Sequence, residues 1–301
     1  MSSLASRLTG LLAFPVTPFD PQGEIDVPRF VRHLEFLLAH RPAALFVCAG
    51  TGEFFSLTFD EYRALVKAAV ETAAGRVPVI AGTGYGTRPA IAYAQAAQAA
   101  GADGVLVLPP YLVGAEQEGL LAHYRAIAAA VSIAVIPYMR DNAIFTPETV
   151  AQLAESPNVA AFKDGHGNLE LLNRIRLATA GRLLLINGMP TAEMSAPAFF
   201  AIGARTYSSA IFNFMPAVSA RFYRALVRGE QETVEAMLEQ VIRPICALRD
   251  RRRGYAVSLI KAGVGLIGEP VGGVRPPLTD PTPEERAMLR DIIERALARW
   301  G

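Results

Sequence analysis

The sequence predicts an α/β fold, a (β/α)8 TIM barrel with a C-terminal helical extension. Two observations carry the prediction. Short apolar runs alternate with Ala- and Leu-rich helical stretches from residue 10 to residue 207, and most of the runs are apolar on both faces, as parallel strands covered by helices must be. The length of 301 residues, 51% of them hydrophobic and 19% charged, suits a large closed core with helices added at one end.

Taken in order, strands are expected at 10–16, 43–48, 77–81, 104–108, 133–138, 159–162, 183–187 and 204–207. Helices are expected between them at 27–40, 58–74, 87–100, 116–130, 147–155, 168–179 and 191–202. Gly75, Pro78, Gly101, Pro147, Pro157, Gly181 and Gly203 punctuate the junctions. After Tyr207 the strand pattern stops, and helices follow near 215–228, 230–249, 255–267 and 282–299. Residues 1–214 therefore read as the barrel, with its active site at the C-terminal ends of the strands, and residues 215–301 as an extension packed on it.

Charge and composition exclude several classes of function. Twenty-nine basic against 28 acidic side chains give a net charge of +1, no footprint for nucleic acid or an anionic membrane. Arg251-Arg252-Arg253 is short and bracketed by Asp250 and Gly254, as in a solvated turn between helices, with a subunit contact as the second reading. Cys48 and Cys246 lie far apart and form no CxxC pair, and His33, His40, His123 and His166 show no HxH or HxxxH spacing. No disulfide, metal or other cofactor is expected. Residues 1–10 lack an apolar core behind basic residues and no run reaches membrane-spanning length, so a soluble cytoplasmic protein is expected.

Only three of the 29 basic residues are lysines, and Lys163 ends the apolar run of the sixth strand. Arginine stays protonated, whereas a desolvated lysine can lose its proton and attack a ketone. The competing reading is a strand-end cation paired with Asp164. Lys67 points off the apolar stripe of its helix, and Lys261 sits in the apolar helical stretch after residue 255. Tyr138 ends the neighbouring fifth strand, so its phenol could move protons for Lys163 or merely cap the core. Gly50-Thr51-Gly52 offers backbone N–H groups and a hydroxyl for a carboxylate next to the ketone, or forms an ordinary tight turn. Arg140 suits a second carboxylate but could equally pair with Asp141 or Glu53. Ser208 and Ser209 either bind substrate hydroxyls or end the eighth strand. Two glycine motifs carry no dinucleotide site. Gly82-Thr-Gly84-Tyr-Gly86 has the wrong spacing, and Gly263-Val-Gly265-Leu-Ile-Gly268 emerges from a helix.

These strand-end residues resemble the dihydrodipicolinate synthase / N-acetylneuraminate lyase superfamily of class I Schiff-base barrels. The likeness runs from Ala13-Phe-Pro-Val-Thr-Pro18 to Gly272-Gly-Val-Arg-Pro-Pro277. It implies that Lys163 forms the Schiff base, that Tyr138 shuttles protons, and that Ala49-Gly-Thr-Gly-Glu53 stands for the family's carboxylate loop. The chain departs from the synthases at Gly50, where they carry a proton-relaying threonine, and at Tyr138-Met-Arg-Asp-Asn142, where they carry Tyr-Asn-x-Pro. Ala49-Gly-Thr-Gly-Glu-Phe-Phe-Ser56, Phe162-Lys-Asp-Gly165, Pro190-Thr-Ala-Glu193 and Thr206-Tyr-Ser-Ser-Ala-Ile-Phe-Asn213 are similar to a subgroup that removes water and CO2 from a keto-sugar diacid. Asn168 stands where that subgroup's aspartate is expected. The resemblance further implies a homotetramer with Tyr111 near a subunit interface. A pyruvate-dependent aldolase or synthase, and a non-catalytic keto-acid-binding member of the fold, are the competing readings.

Overall fold

The computed structural model describes residues 3–268 and 270–301, so the first two residues of the 1–10 stretch lie outside it. Strands β1 (Leu11–Ala13), β2 (Ala44–Val47), β3 (Val79–Thr83), β4 (Gly104–Val107), β5 (Ala134–Met139), β6 (Ala161–Asp164), β7 (Leu184–Asn187) and β8 (Thr206–Ser209) close into a barrel in sequence order. All pairs are parallel, and β8 returns to β1 through Leu12 opposite Ser208. The TIM-barrel expectation is met. The observed strands β6 and β8 sit two residues later than the apolar runs suggested, because the ladder continues through polar positions: Asp164 pairs with Asn187 and Asn187 with Tyr207.

Alternation along each strand divides the core in two. Leu12, Ala44, Phe46, Ile80, Leu106, Ile136, Ala161 and Ile186 point inward and fill the barrel. Their neighbours pack outward against the helices. Ala5 and Leu8 join the inner set, so the short helix Ser3–Arg7, which the sequence did not suggest, plugs the barrel floor. Each fully buried Leu, Ile or Phe among them contributes about 1.5–3 kcal/mol. Gly82 is fixed by proximity, since a Cβ there would lie 2.1 Å from the Cys48 carbonyl oxygen.

The helices start where side chains cap them. Thr58 and Thr282 form capping boxes with Glu61 and Glu285, and Asp26, Thr146 and Asn168 each accept an N–H of their helix's first turn. The stretch expected at 191–202 is broken into a 3-10 turn, Ala192–Met194, and the helix Ala196–Ala201. The expected 230–249 helix contains a π-helical segment, Leu238–Ile242, just before Pro244. Proline has no N–H to continue the α ladder, so the widened turn absorbs the mismatch.

The extension runs through Pro216–Arg228, Gln231–Met237, Arg243–Arg249, Tyr255–Leu266 and Pro283–Trp300. Gly263 lets the Tyr255–Leu266 helix lie on Phe214, whose ring would be 2.7 Å from a Cβ, so this glycine serves packing. Cys48 and Cys246 are both buried free thiols. No helix among the described residues is long and apolar enough to cross a membrane.

Candidate active site

Tyr138 and Lys163 are direct partners in the β5–β6 ladder, and both follow inward-facing residues, Ile136 and Ala161. The Lys163 Nζ lies 3.6 Å from the centroid of the Tyr138 ring and 5.1 Å from that of Phe14. Burial holds the amine well below the usual lysine range, the Arg140 guanidinium pushes the same way, and Asp164 weakly opposes them. The competing ion pair with Asp164 is not formed among the described residues. Asp164, next along the strand, accepts the N–H groups of His166 at 2.9 Å and Gly167 at 3.3 Å. Lys67 is exposed, 3.8 Å from Glu71, and Lys261 is buried against Glu53 at 2.9 Å.

The Tyr138 hydroxyl donates to the Gly188 carbonyl at 2.7 Å, and burial raises its pKa against the lowering pull of Arg140. Two glycines make room for the pair. A Cβ at Gly188 would stand 2.5 Å from the Lys163 Nζ and 2.8 Å from the Tyr138 ring, and one at Gly165 would stand 2.7 Å from the Tyr138 hydroxyl. Sequence reasoning missed both roles. The signal was present in Asp164-Gly165 and Asn187-Gly188, glycines directly after inward-opening strands.

A cavity of about 600 Å³ opens above Lys163, inside the ~300–1,000 Å³ range of small-molecule sites. Gly50 and Thr51 line it, and among the described residues their N–H groups donate to no protein acceptor. Gly52 does not line it: a Cβ there would be 3.0 Å from the Cys48 nitrogen, and its carbonyl accepts the Thr17 hydroxyl at 2.7 Å. Gly52 shapes the turn from behind. Arg140 lines the cavity with its Nε 2.6 Å from Asp141, the nearer of the two expected partners. Ser208 lines it too, donating to the Asn187 carbonyl at 3.3 Å.

Ser209 is buried and bonded to Glu193, whose carboxyl burial pushes up to about 7. The extension adds wall residues that the sequence left unassigned, including Tyr255, Leu259, Ile260 and Arg249. Arg249 donates to the Pro190 carbonyl at 2.9 Å and pairs with Asp250 at 2.8 Å.

A family model described as the dihydrodipicolinate synthetase family matches residues 7–296. The chain belongs to this family. It is 52% identical to a protein named probable 5-dehydro-4-deoxyglucarate dehydratase from Streptomyces griseus, over 97% of this chain and 92% of that one. A protein of the same name from Rhizobium rhizogenes is 52% identical, covering 96% of both chains. Among solved structures, dihydrodipicolinate synthase from Oceanobacillus iheyensis superposes with a TM-score of 0.91 at 27% identity over 98% of each chain. The Bacillus clausii synthase gives 0.90 at 26% identity, over 97% of this chain and 99% of its own.

Placed in this dihydrodipicolinate synthetase family, two of the chain's three departures, Asn168 and Gly50, have simple physical settings. Asn168 caps the helix Leu169–Thr179 by accepting the Leu171 N–H at 3.0 Å, a task asparagine and aspartate share. Gly50 faces open space, with no atom within 4 Å of a built Cβ, so its backbone lies open to the cavity.

Proposed function

We propose that this chain is a 5-dehydro-4-deoxyglucarate dehydratase, a class I Schiff-base lyase that converts the keto-sugar diacid to 2,5-dioxopentanoate, CO2 and water. The observation that carries the reading is the desolvated Lys163 amine 3.6 Å from the centroid of the Tyr138 ring, free of any ion pair among the described residues. Relatives of that name at 52% identity support the choice of substrate.

The carboxylate beside the ketone sits on the Gly50 and Thr51 N–H groups and the Thr51 hydroxyl. The Lys163 amine adds to the ketone carbon, and Tyr138 carries protons as the carbinolamine loses water to an iminium. The iminium acidifies the neighbouring CH2. Loss of that proton gives an enamine, which expels the β-hydroxyl as water and leaves a conjugated iminium. The carbon bearing the distal carboxylate is now joined to this electron sink, so its C–C bond breaks and CO2 departs with the electron pair retained in the dienamine. Protonation, tautomerisation of the resulting enol to the aldehyde, and hydrolysis of the imine release the product and restore the amine.

Arg140 and Ser208 orient the distal carboxylate and the hydroxyls. Asp141 already neutralises part of the Arg140 charge. That weakens its hold on a carboxylate that has to leave as neutral CO2.

Tyr111, Leu112 and Val113 are 68%, 82% and 58% exposed beside the cavity. Such a cluster suits burial between subunits of a cytoplasmic homotetramer, which light scattering with and without Leu112→Asp would test.

The deciding experiment incubates the protein with the diacid, follows CO2 and 2,5-dioxopentanoate together, and traps the imine with borohydride for peptide mapping. CO2 release with the adduct on Lys163 supports the reading. An adduct formed from pyruvate, with no CO2 from the diacid, moves the enzyme to the aldolases. Keto-acid binding without a trappable imine makes it a non-catalytic member of the fold.

A further inference from the structure

We propose that Glu53 and Lys261 are positioning residues for substrate binding, clamping the turn that carries Gly50 and Thr51 to the extension helix that also walls the cavity. The inference rests on Gly50 and Thr51 being the seat of the keto-side carboxylate.

Glu53 and Lys261 are 208 positions apart in sequence, yet their side chains meet at 2.9 Å with neither exposed. The second Glu53 oxygen accepts the Arg275 N–H at 3.1 Å. Both cations pack on the Phe19 ring, with the Lys261 Nζ 4.0 Å and the Arg275 guanidinium 4.2 Å from its centroid. Arg275 also donates to the carbonyls of Gly23 and Ser56, each at 2.8 Å, and to Glu61 at 3.0 Å. Five segments thus converge: the loop after β1, the turn after β2, the Phe59–Ala73 helix, the Tyr255–Leu266 helix and the 271–280 loop.

The clamp bears directly on the seat. Glu53 has a left-handed backbone, φ +56°, a region that residues with a Cβ visit uncommonly and that surrounding contacts help to hold. That backbone returns its N–H to the Gly50 carbonyl at 3.2 Å and closes the turn. Thr17 pins Gly52 from below at 2.7 Å. With the Glu53 side chain anchored, the turn presents the Gly50 and Thr51 N–H groups to the cavity. Released, Glu53 relaxes toward an ordinary φ and the donors diverge. Tyr138 on β5 and Lys163 on β6 stand outside this cluster and keep their geometry.

The prediction is therefore a split between binding and chemistry. Removing one member of a buried ion pair leaves an unpaired charge and endangers folding, whereas replacing both by apolar residues does not. The test compares the double variant Glu53→Leu with Lys261→Met, the isosteric single Glu53→Gln, and Thr51→Val, each assayed for melting temperature, KM, kcat and borohydride trapping at saturating diacid. The expected result is KM raised about tenfold in the folded clamp variants, with kcat within about threefold and the pH profile of trapping unchanged. Thr51→Val should show the same split. A folded clamp variant with parental KM, beside a Thr51→Val enzyme whose KM rises, overturns the clamp and leaves the seat standing. Parental KM in Thr51→Val and in the folded clamp variants together overturns the seat and the clamp with it. A matched fall in kcat at unchanged KM also overturns the clamp.

Discussion

Replacing Gly188 by alanine adds one methyl group at the most crowded point of the site. Its Cβ would stand 2.5 Å from the Lys163 Nζ, 2.8 Å from the Lys163 Cγ and 2.8 Å from the Tyr138 Cε2. Carbon contacts settle near 3.5–4.0 Å, so something has to retreat by about 1 Å. The backbone is poorly placed to do so. The Gly188 N–H is held by the Asp164 carbonyl at 2.6 Å, and its own carbonyl accepts the Tyr138 hydroxyl at 2.7 Å. The displacement therefore falls on the amine and the phenol. Overpacking of this kind costs about 1–3 kcal/mol in stability, and a 1 Å shift of a reacting group costs about 10²-fold in rate. The assay is kcat/KM for CO2 release, with the rate of borohydride trapping and a thermal melt alongside. Gly265→Ala serves as the control, because that helical position faces open space and alanine there should stabilise by roughly 0.5–1 kcal/mol without touching activity. A folded Gly188→Ala protein with kcat/KM within threefold of the parent would falsify the packing argument.

Lys163→Met should abolish imine trapping and lower turnover by on the order of 10³-fold or more. It should also raise the melting temperature at neutral pH. The folded amine has a depressed pKa, so it destabilises the fold below the unfolded lysine value, and the gain over the parent should shrink as pH climbs toward about 10; a constant or absent gain contradicts the desolvation. Tyr138→Phe should slow imine formation by about 10²–10⁴-fold while leaving KM nearly unchanged, and single-turnover trapping reads this directly. Glu193 has a folded pKa of about 7 against an ordinary 4.5. Its contribution to stability is complete below pH 4.5 and lost as pH rises through 7, up to about 3 kcal/mol. Glu193→Gln should flatten that slope in melts from pH 4.5 to 8, and parallel slopes in the two proteins would rule it out.

The barrel and the juxtaposition of Tyr138 with Lys163 were legible because both rest on local pattern. Parallel strands buried on two faces leave apolar runs, and a strand period of two sets Tyr138 and Lys163 side by side once β5 and β6 are recognised as neighbours. Strand ends were less legible, since ladder bonds carry β6 on through Lys163 and Asp164, where hydrophobicity has already stopped. The helix Ser3–Arg7 was hidden by its brevity: five residues give no period, and only the open barrel floor explains it. Residues 50–52 read alike as candidate binding residues, because side-chain-free glycines look the same in sequence. Only packing against Cys48 distinguishes the structural Gly52 from the open Gly50. The pairing of Glu53 with Lys261 was illegible, because no spacing rule links residues 208 positions apart. For the same reason Arg249 and Tyr255 gave no sign of reaching the cavity.

The two cysteines amount to a pair of built-in clocks. Cys48 lies at the end of β2 within the barrel, and Cys246 lies on the Arg243–Arg249 helix of the extension. Burial pushes both thiols up, so neither presents a thiolate to reagents while the chain is folded. Each becomes alkylatable only when its own surroundings open. Labelling the native protein over hours and mapping the two sites would time the loosening of the extension separately from that of the barrel. Because no other thiol exists in the chain, the record needs no engineered probe.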